Sequence, residues 1–325
     1  MFNSFKVNPK AKSEINTGFG VNSSDYGGRF VNKNGKPNVE IKGIGFFRRT
    51  SWYHVLLDLP RYKFLLIILL FFILINFVFA GIYLLFGISR LVGETPHTIS
   101  EKIEEAFFFS CQTFTTVGYG RISPNGFVAS LIAALEAFTG LLSIAVVTGL
   151  LYGRFSRPKA YIKFSENALL APFHKGRAIM LRLAPFKNTT LTDVEAKISL
   201  GLIVEENGTM VNKFYQLPLE YRTVNSLTLS WTIVHPITET SPFFEFSEED
   251  FKNAKGEILV FVKAFDDMFS NTVVTRTSYT LSEIVLGAKF DPMFHRSHKE
   301  NNTQLYLNKL NSFSKAKLPE LKTST

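Results

Sequence analysis

Two long apolar segments constrain the fold of this chain more than any other feature. Residues 64–88 read FLLIILLFFILINFVFAGIYLLFGI without a charge, and residues 127–153 read FVASLIAALEAFTGLLSIAVVTGLLYG with Glu136 as their one charge. Each is longer than the roughly 20 apolar residues that a helix needs to cross a bilayer. The sequence therefore predicts two transmembrane helices, at about 62–88 and 126–155, in preference to a buried helix pair in a soluble protein.

Composition agrees with a membrane setting. The 325 residues include 36 Lys and Arg against 27 Asp and Glu, and this excess suits either nucleic acid or an anionic membrane surface. The 33 phenylalanines favour the membrane. The single cysteine, Cys111, excludes an intramolecular disulfide or a cysteine metal cluster, and the polar first forty residues contain no secretory signal.

Basic residues flank both apolar segments on one side of the membrane. They are Arg48, Arg49, Arg61 and Lys63 before the first segment, and Arg154, Arg157, Lys159 and Lys163 after the second. The positive-inside rule then places both termini in the cytoplasm. Residues 89–126 are expected on the outer side.

The outer segment contains a helix that is too short to cross. Residues 100–114 read SEKIEEAFFFSCQTF, with Ser100 as a candidate N-cap and acidic residues in the first turn. We expect a re-entrant helix at about 101–114 that returns as extended chain. Non-helical backbone at membrane depth is tolerated only where it is buried in protein or lines a wet cavity, so residues 115–120 should line such a cavity.

Those residues read TTVGYG, which includes the carbonyl-lined loop sequence of potassium channels, where four copies surround one pore. Gly118 and Gly120 allow the positive φ that aims carbonyls along one axis. The similarity places K⁺ at Thr116, Val117, Gly118 and Tyr119 of a selectivity filter at 116–120. Thr115 and Gln112 are the expected supporting residues.

Further stretches extend this similarity. In chain order they are SWYHVLLDLPRY, FFFSCQTFTTVGYG, RFSRPKA, LSWTIVHPI and SEIVLGAKFDPMF. Over about Phe47 to His295 the chain resembles the inward-rectifier potassium channels, and most of all the prokaryotic KirBac group. The resemblance implies a homotetramer in the inner (plasma) membrane that conducts K⁺ passively, with K⁺ as permeant ion, no cofactor, no nucleic acid and no enzymatic activity.

The resemblance also assigns roles along the membrane part, which would cover 61–156. Residues 46–60 would form an interfacial slide helix; a polar linker is the alternative. The apolar face of this helix would consist of Trp52, Val55, Leu56 and Leu59. Ile144, Thr148 and Tyr152 would line the ion path, although such a stripe often serves helix packing alone. Tyr152 would form the gate and Gly149 a hinge.

Two departures from animal relatives carry expectations. Ile144 stands where strong rectifiers have an acidic residue, so we expect weak rectification; the candidate blockers are Mg²⁺, polyamines and Ba²⁺. Gln112 replaces a glutamate that braces the filter, so neutral hydrogen bonds from Gln112 are expected instead. Glu136 should face protein or water, at the back of the re-entrant helix.

After Pro158 the pattern changes to short alternating segments. Strands are predicted at 178–186, 194–204, 227–234, 257–265 and 272–280, with a turn at 207–208 and a short helix at 247–251. This pattern indicates an all-β, immunoglobulin-like sandwich at 157–300 in the cytoplasm. Residues 1–45 are predicted to be a flexible polar N-terminus, and residues 301–325 a partly disordered tail.

The remaining candidate sites have two interpretations each. Asp266 and Asp267 match a cytoplasmic constriction that would attract cations, or they form a solvated acidic turn. A basic cluster either binds anionic lipids or only obeys the positive-inside rule; its members are Arg48, Arg49, Arg61, Arg154, Arg157 and Lys159.

Other functions have weaker support in the sequence. His235, His295 and His298 are expected to be structural or exposed. There is no arginine-rich sensor helix, phosphate loop or catalytic constellation, which argues against voltage gating, nucleotide gating and enzymatic activity. The alternative of another class is a membrane-tethered β-sandwich binding protein.

Overall fold

A computed structural model describes residues 7–13, 18, 29–45, 48, 51–86, 91–93, 98–206, 209–297 and 301–320. The chain divides into two compact units. Residues 42–157 form a helical unit, and residues 1–41 together with 158–325 form a β unit. The β unit is thus discontinuous in sequence, because the helical unit lies between its two parts.

Two helices of the helical unit have the length and composition of membrane spans. Helix α1 covers Trp52–Asp58 and is followed by α2 at Arg61–Phe86; helix α3 covers Ile99–Phe114 and α4 covers Phe127–Phe155. At 1.5 Å per residue, α2 and α4 are about 39 and 44 Å long, beyond the roughly 30 Å of a hydrocarbon core. Helix α3 is about 24 Å long and cannot cross.

Helix α3 begins earlier than the sequence predicted. Its N-cap is Thr98 and not Ser100: the Thr98 hydroxyl accepts from the Glu101 amide, and the Glu101 carboxylate accepts from the Thr98 amide. The short strands β1 (Leu91–Val92) and β2 (Ser123–Pro124) pair antiparallel and tie the two ends of the outer segment together.

Aromatic contacts fix α3 against α2. The rings of Phe77 and Phe107 lie 4.5 Å apart between centroids, and those of Tyr83 and Phe109 lie 5.1 Å apart in an edge-on arrangement. Such pairs contribute beyond the area that they bury. Helix α1 contacts α4 through Tyr53 and Leu57, which lie against Gly153.

The β unit contains two five-stranded sheets. The first has the order β11-β10-β6-β7 with β8 also on β6, and the second has β12-β4-β5-β3 with β9 also on β5. Its strands are β3 (Ile162–Phe164), β4 (Ala168–Phe173), β5 (Gly176–Pro185), β6 (Leu191–Glu206), β7 (Thr209–Gln216), β8 (Thr223–Ser226), β9 (Trp231–Pro236), β10 (Gly256–Asp266), β11 (Asn271–Thr280) and β12 (Ile284–Leu286). One core cluster draws Leu181 and Ile233 from one sheet and Ile198 and Val260 from the other, so the sheets form a sandwich.

Smaller elements complete the β unit. They are helix α5 (Glu248–Asn253) and strands β13 (Ala288–Phe290), β14 (Phe294–Ser297), β15 (Asn302–Leu305) and β16 (Phe313–Lys315). The predicted tail is ordered over 301–320, since β16 pairs with β13 and Leu310 is buried. The prediction of disorder there is wrong because apolar residues within the polar tail find partners on the sandwich.

The predicted flexible N-terminus is likewise wrong for the described residues 7–13 and 29–41. The Asn8 side chain is buried, and its Nδ2 donates to the Ser241 carbonyl over 2.9 Å. Farther along, the main-chain amides of Phe30 and Val31 donate to the buried carboxylate of Glu257. These segments dock on the β unit because main-chain amides satisfy a carboxylate that is cut off from water.

Candidate ion-binding loop and its supporting contacts

Residues 116–120, here called the TVGYG loop, leave the C-terminal end of α3 with an unusual backbone. Thr116, Gly118 and Gly120 have φ values of +60°, +52° and +81°. In an ordinary strand successive carbonyls alternate in direction, whereas left-handed angles at every second residue let them point to one side. The left-handed Thr116 costs roughly 1–2 kcal/mol, a strain of the kind that accumulates at functional sites.

Main-chain bonds anchor the loop on α3. The amides of Val117 and Gly118 donate to the Gln112 carbonyl over 2.9 and 3.3 Å, and the Thr115 hydroxyl donates to the Cys111 carbonyl over 2.7 Å. The sequence predicted neutral hydrogen bonds from Gln112 as the brace. The described bonds instead use the main-chain oxygen of Gln112 as acceptor, so the position of the helix end determines the position of the loop.

Glu136 lies behind α3, where the sequence placed it, and the structure adds its partners. Its carboxyl group is fully buried. The Tyr83 hydroxyl on α2 donates to Glu136 Oε2 over 2.6 Å, and the Ser110 hydroxyl on α3 contacts Glu136 Oε1. Ser110 Oγ also lies 2.9 Å from Asn76 Oδ1. Sequence reasoning missed Tyr83, Ser110 and Asn76, although a polar Asn76 in an uncharged span was a signal.

Gly140 brings the α4 backbone against the end of α3. A Cβ atom at Gly140 would lie 1.9 Å from the Phe114 carbonyl oxygen, which is closer than any side chain allows. Phe114 is the last residue of α3 and lies two residues before the loop. The absence of a side chain at Gly140 therefore permits direct backbone contact next to the loop.

The predicted pore-lining residues share one face of α4. Ile144, Thr148 and Tyr152 are separated by four residues each and are exposed on the single protomer, Tyr152 by 74%. Helix α4 runs unbroken through Gly149, and a Cβ atom there would meet nothing within 4 Å. The space beside the Gly149 α-carbon is thus empty in this protomer.

The members of the basic cluster differ in their contacts and in their exposure. Arg154 donates to the carbonyls of Leu56 and Leu59 over 2.7 and 2.6 Å and covers the Phe64 ring. The guanidinium of Arg154 therefore caps the end of α1, and its contact with lipid stays a prediction. Arg157 lies 3.7 Å from the Asp58 carboxylate. Arg48, Arg61 and Lys159 are exposed, whereas Arg49 lies outside the described residues.

The two aspartates of the predicted constriction have different environments. Asp266 is fully buried, and its Oδ1 accepts from the Met268 amide over 3.0 Å. Asp266 therefore holds the β10–β11 turn, and its role at a cytoplasmic constriction stays a prediction. Asp267 is exposed and accepts from the Thr192 hydroxyl over 2.9 Å.

His235 is a structural histidine. Its ring nitrogens contact the Pro218 carbonyl and the Ser241 hydroxyl over 2.6 and 2.8 Å. Burial lowers the pKa of His235 to about 4, so the ring is neutral at ordinary pH. His295 is exposed, and His298 lies outside the described residues.

Two membrane-length helices, a short helix between them and a loop with left-handed backbone at alternate residues are the features of two-span ion channels. Comparison with known families agrees: residues 67–157 match the "Ion channel" family, and residues 162–325 match the family described as "Inward rectifier potassium channel C-terminal domain". This chain belongs to the inward rectifier potassium channel family. The resemblance drawn from the sequence is thereby confirmed.

Individual relatives span most of the chain. It is 31% identical to "Inward rectifier potassium channel Kirbac3.1" of Paramagnetospirillum magnetotacticum, over 82% of this chain and 89% of the relative. It is 27% identical to "G protein-activated inward rectifier potassium channel 2" of Pongo abelii, over 90% of this chain and 77% of the relative. Among solved structures, the sporulation control protein Spo0M of Bacillus subtilis aligns with 40% of this chain and 50% of the Spo0M chain. The sequence identity is 9% and the TM-score is 0.22, which is too low to support an argument.

Family membership decides between the classes of function. The protein is a membrane ion channel and not an enzyme, as predicted. The membrane-tethered binding protein loses its support, because both parts of the chain match channel families.

Proposed function

We propose that four copies of this chain form a potassium channel in which the TVGYG loop selects the ion. The observation that carries the proposal is the left-handed backbone at alternate residues of the loop. Four such loops around one axis would replace the hydration shell of K⁺ with carbonyl oxygens of Thr116, Val117, Gly118 and Tyr119. K⁺ is here the permeant ion, and the Thr116 hydroxyl contributes to the innermost ring.

The homotetramer follows from the geometry of such a ring. One chain supplies one loop, and the surfaces that would meet other copies are open on the protomer, with Tyr119 exposed by 79%. The channel would lie in the inner membrane of a cell. Both termini would be cytoplasmic, because the basic residues that flank the two spans mark the cytoplasmic side.

The gate is proposed at the cytoplasmic end of α4. Ile144, Thr148 and Tyr152 would line the inner cavity, and four Tyr152 side chains would close its mouth by contact or dewetting. Gly149 lies within this stretch with empty space where a side chain would stand, which suits a hinge. The β unit controls the opening in this proposal, and Asp267 remains as the exposed acidic residue near its β10–β11 turn.

Lipid sensing is assigned to the basic residues that the protein leaves exposed. Arg48, Arg61 and Lys159 are exposed, and each would contribute about 1 kcal/mol near an anionic surface. Arg49 belongs to the same proposal by its sequence position. Anionic lipid headgroups, phosphoinositides included, are the proposed modulators.

Uptake of radioactive rubidium into potassium-loaded liposomes tests the function. Uptake that external Ba²⁺ abolishes and external Na⁺ barely affects is the expected result. The Tyr152→Ala variant is measured in parallel, because trimming the proposed gate should raise uptake if the wild-type channel rests closed. Silence of both proteins, with the tetramer intact by size-exclusion chromatography, would contradict the proposal.

A further inference from the structure

A cluster of four polar side chains lies behind α3, beside the apolar core of the helical unit. Asn76, Ser110 and Glu136 have no exposed surface, and Tyr83 is 2% exposed. They come from all three helices of the pore region: α2, α3 and α4. A buried carboxylate is costly unless its charge is paired or its oxygens are fully hydrogen-bonded, and no basic side chain is described in contact with Glu136.

Counting protons determines how this cluster is bonded. It contains three close oxygen–oxygen contacts: Tyr83 to Glu136, Ser110 to Glu136, and Ser110 to Asn76. Each contact needs one proton, but the two hydroxyls supply only two. An ionised Glu136 would leave two acceptors facing each other at one contact.

The Asn76 amide cannot supply the missing proton. Its Nδ2 donates to the Phe72 carbonyl over 2.7 Å, which fixes the orientation of the amide and turns Oδ1 toward Ser110. Reversing the amide would place two oxygens 2.7 Å apart at Phe72. The remaining source is the Glu136 carboxyl: it donates to Ser110 Oγ, Ser110 donates to Asn76, and Tyr83 donates to Glu136 Oε2.

The cluster is joined to the TVGYG loop through the end of α3. Helix α4 contacts α3 at Glu136 with Ser110 and again, four residues later on both helices, at Gly140 with Phe114. The Gln112 carbonyl between these two levels accepts the Val117 and Gly118 amides of the loop. Movement of α3 relative to α4 would therefore move the loop carbonyls.

We propose that Glu136 is a positioning residue for the TVGYG loop, and that it acts as a neutral carboxylic acid which fastens α3 to both spanning helices. This inference rests on the proposed function of the loop as ion selector. Glutamine reproduces the bonding of a neutral acid, because its NH₂ can donate to Ser110 and its carbonyl can accept from Tyr83. Leucine has a similar volume and neither group.

The test compares Glu136→Gln with Glu136→Leu in reconstituted full-length channels. The preference for K⁺ over Na⁺ and the concentration of Ba²⁺ for half block are measured for tetramers that conduct. Glu136→Gln should match the wild type, whereas Glu136→Leu should lose about tenfold in preference, the equivalent of one lost buried hydrogen bond. Tyr83→Phe, which removes one donor, should shift both quantities in the same direction and provides a readout if Glu136→Leu does not assemble.

Infrared spectroscopy of the wild-type tetramer tests the protonation state without ion flux. The carbonyl band of a protonated carboxyl should be present at neutral pH and absent from Glu136→Gln. Identical spectra, or an equal loss of K⁺ preference in Glu136→Gln and Glu136→Leu, would overturn the proposal that Glu136 is a neutral acid. An unchanged preference in both Glu136→Leu and Tyr83→Phe would overturn the positioning role. A wild type that conducts without preference for K⁺ would contradict the proposed function, while the infrared result would still decide the state of Glu136.

Discussion

Gly140 brings the α4 backbone into direct contact with the end of α3, beside the loop. Replacing Gly140 with alanine should lower the free energy of unfolding by about 1–3 kcal/mol, because the added methyl would overlap the Phe114 carbonyl. The thermal midpoint of the tetramer in detergent measures this effect. Gly149→Ala is the matched control, since open space surrounds that position and alanine favours helix. Equal midpoints for the two variants would show that α3 and α4 are not in backbone contact.

His235 gives the β unit a predictable pH dependence. Its pKa is about 4 in the folded chain and about 6.5 in an unfolded one, so the unfolded state binds more protons between these values. The stability that neutral His235 provides is complete above about 6.5 and decreases as pH falls through 4, by about 3 kcal/mol in total. Unfolding by denaturant at several pH values measures it.

The control for this prediction is His235→Gln, which cannot titrate. The variant should be less stable at neutral pH, because the glutamine fits the Pro218 and Ser241 contacts less well. Its stability should also change less between pH 6.5 and 4 than that of the wild type. Parallel curves for both proteins would assign the pH dependence to other groups.

Among the elements, α1 is held by α4 in part through Arg154. Arg154→Gln should remove both bonds to the Leu56 and Leu59 carbonyls and weaken the end of α1 by about 1–3 kcal/mol. Hydrogen exchange at the α1 amides should become faster. Arg157→Gln removes only an exposed ion pair, worth about 0–1 kcal/mol, and should leave the exchange nearly unchanged. Similar exchange in both variants would mean that Arg154 does not hold α1.

How far the sequence predicts an element depends on whether its cause is local. The length of the two apolar segments predicted α2 and α4, and the alternation of apolar and polar residues predicted the long strands. The roles of Arg154 and Asp266 were not predictable, because a carbonyl or amide partner follows from tertiary position and not from residue spacing. The N-cap was assigned two residues too late because Ser100 and Thr98 both satisfy the local rule, and the Glu101 contact decides between them.

At the scale of the whole channel, Ile144 tests the assignment of the ion path. Ile144→Asp should introduce voltage-dependent block by internal Mg²⁺ or polyamine, because four carboxylates would then attract cations inside the cavity. Currents across planar bilayers with and without the blocker measure this effect. Leu142→Asp, two positions away on α4, is the comparison. Absence of new block in Ile144→Asp would remove that face of α4 from the ion path.

The docked N-terminal segments have a consequence for biosynthesis. Residues 7–13 and 29–41 are synthesised before their partners, such as Ser241 and Glu257, which follow more than two hundred residues later. Both spans must therefore be inserted into the membrane before the surface that binds residues 7–13 and 29–41 has been synthesised. Contacts between residues so far apart in sequence form slowly. The strands that are synthesised late must bind an N-terminal segment that is already connected to an inserted span. A chain released before Ser241 is synthesised would consequently carry an undocked N-terminal segment, which quality-control proteases could recognise.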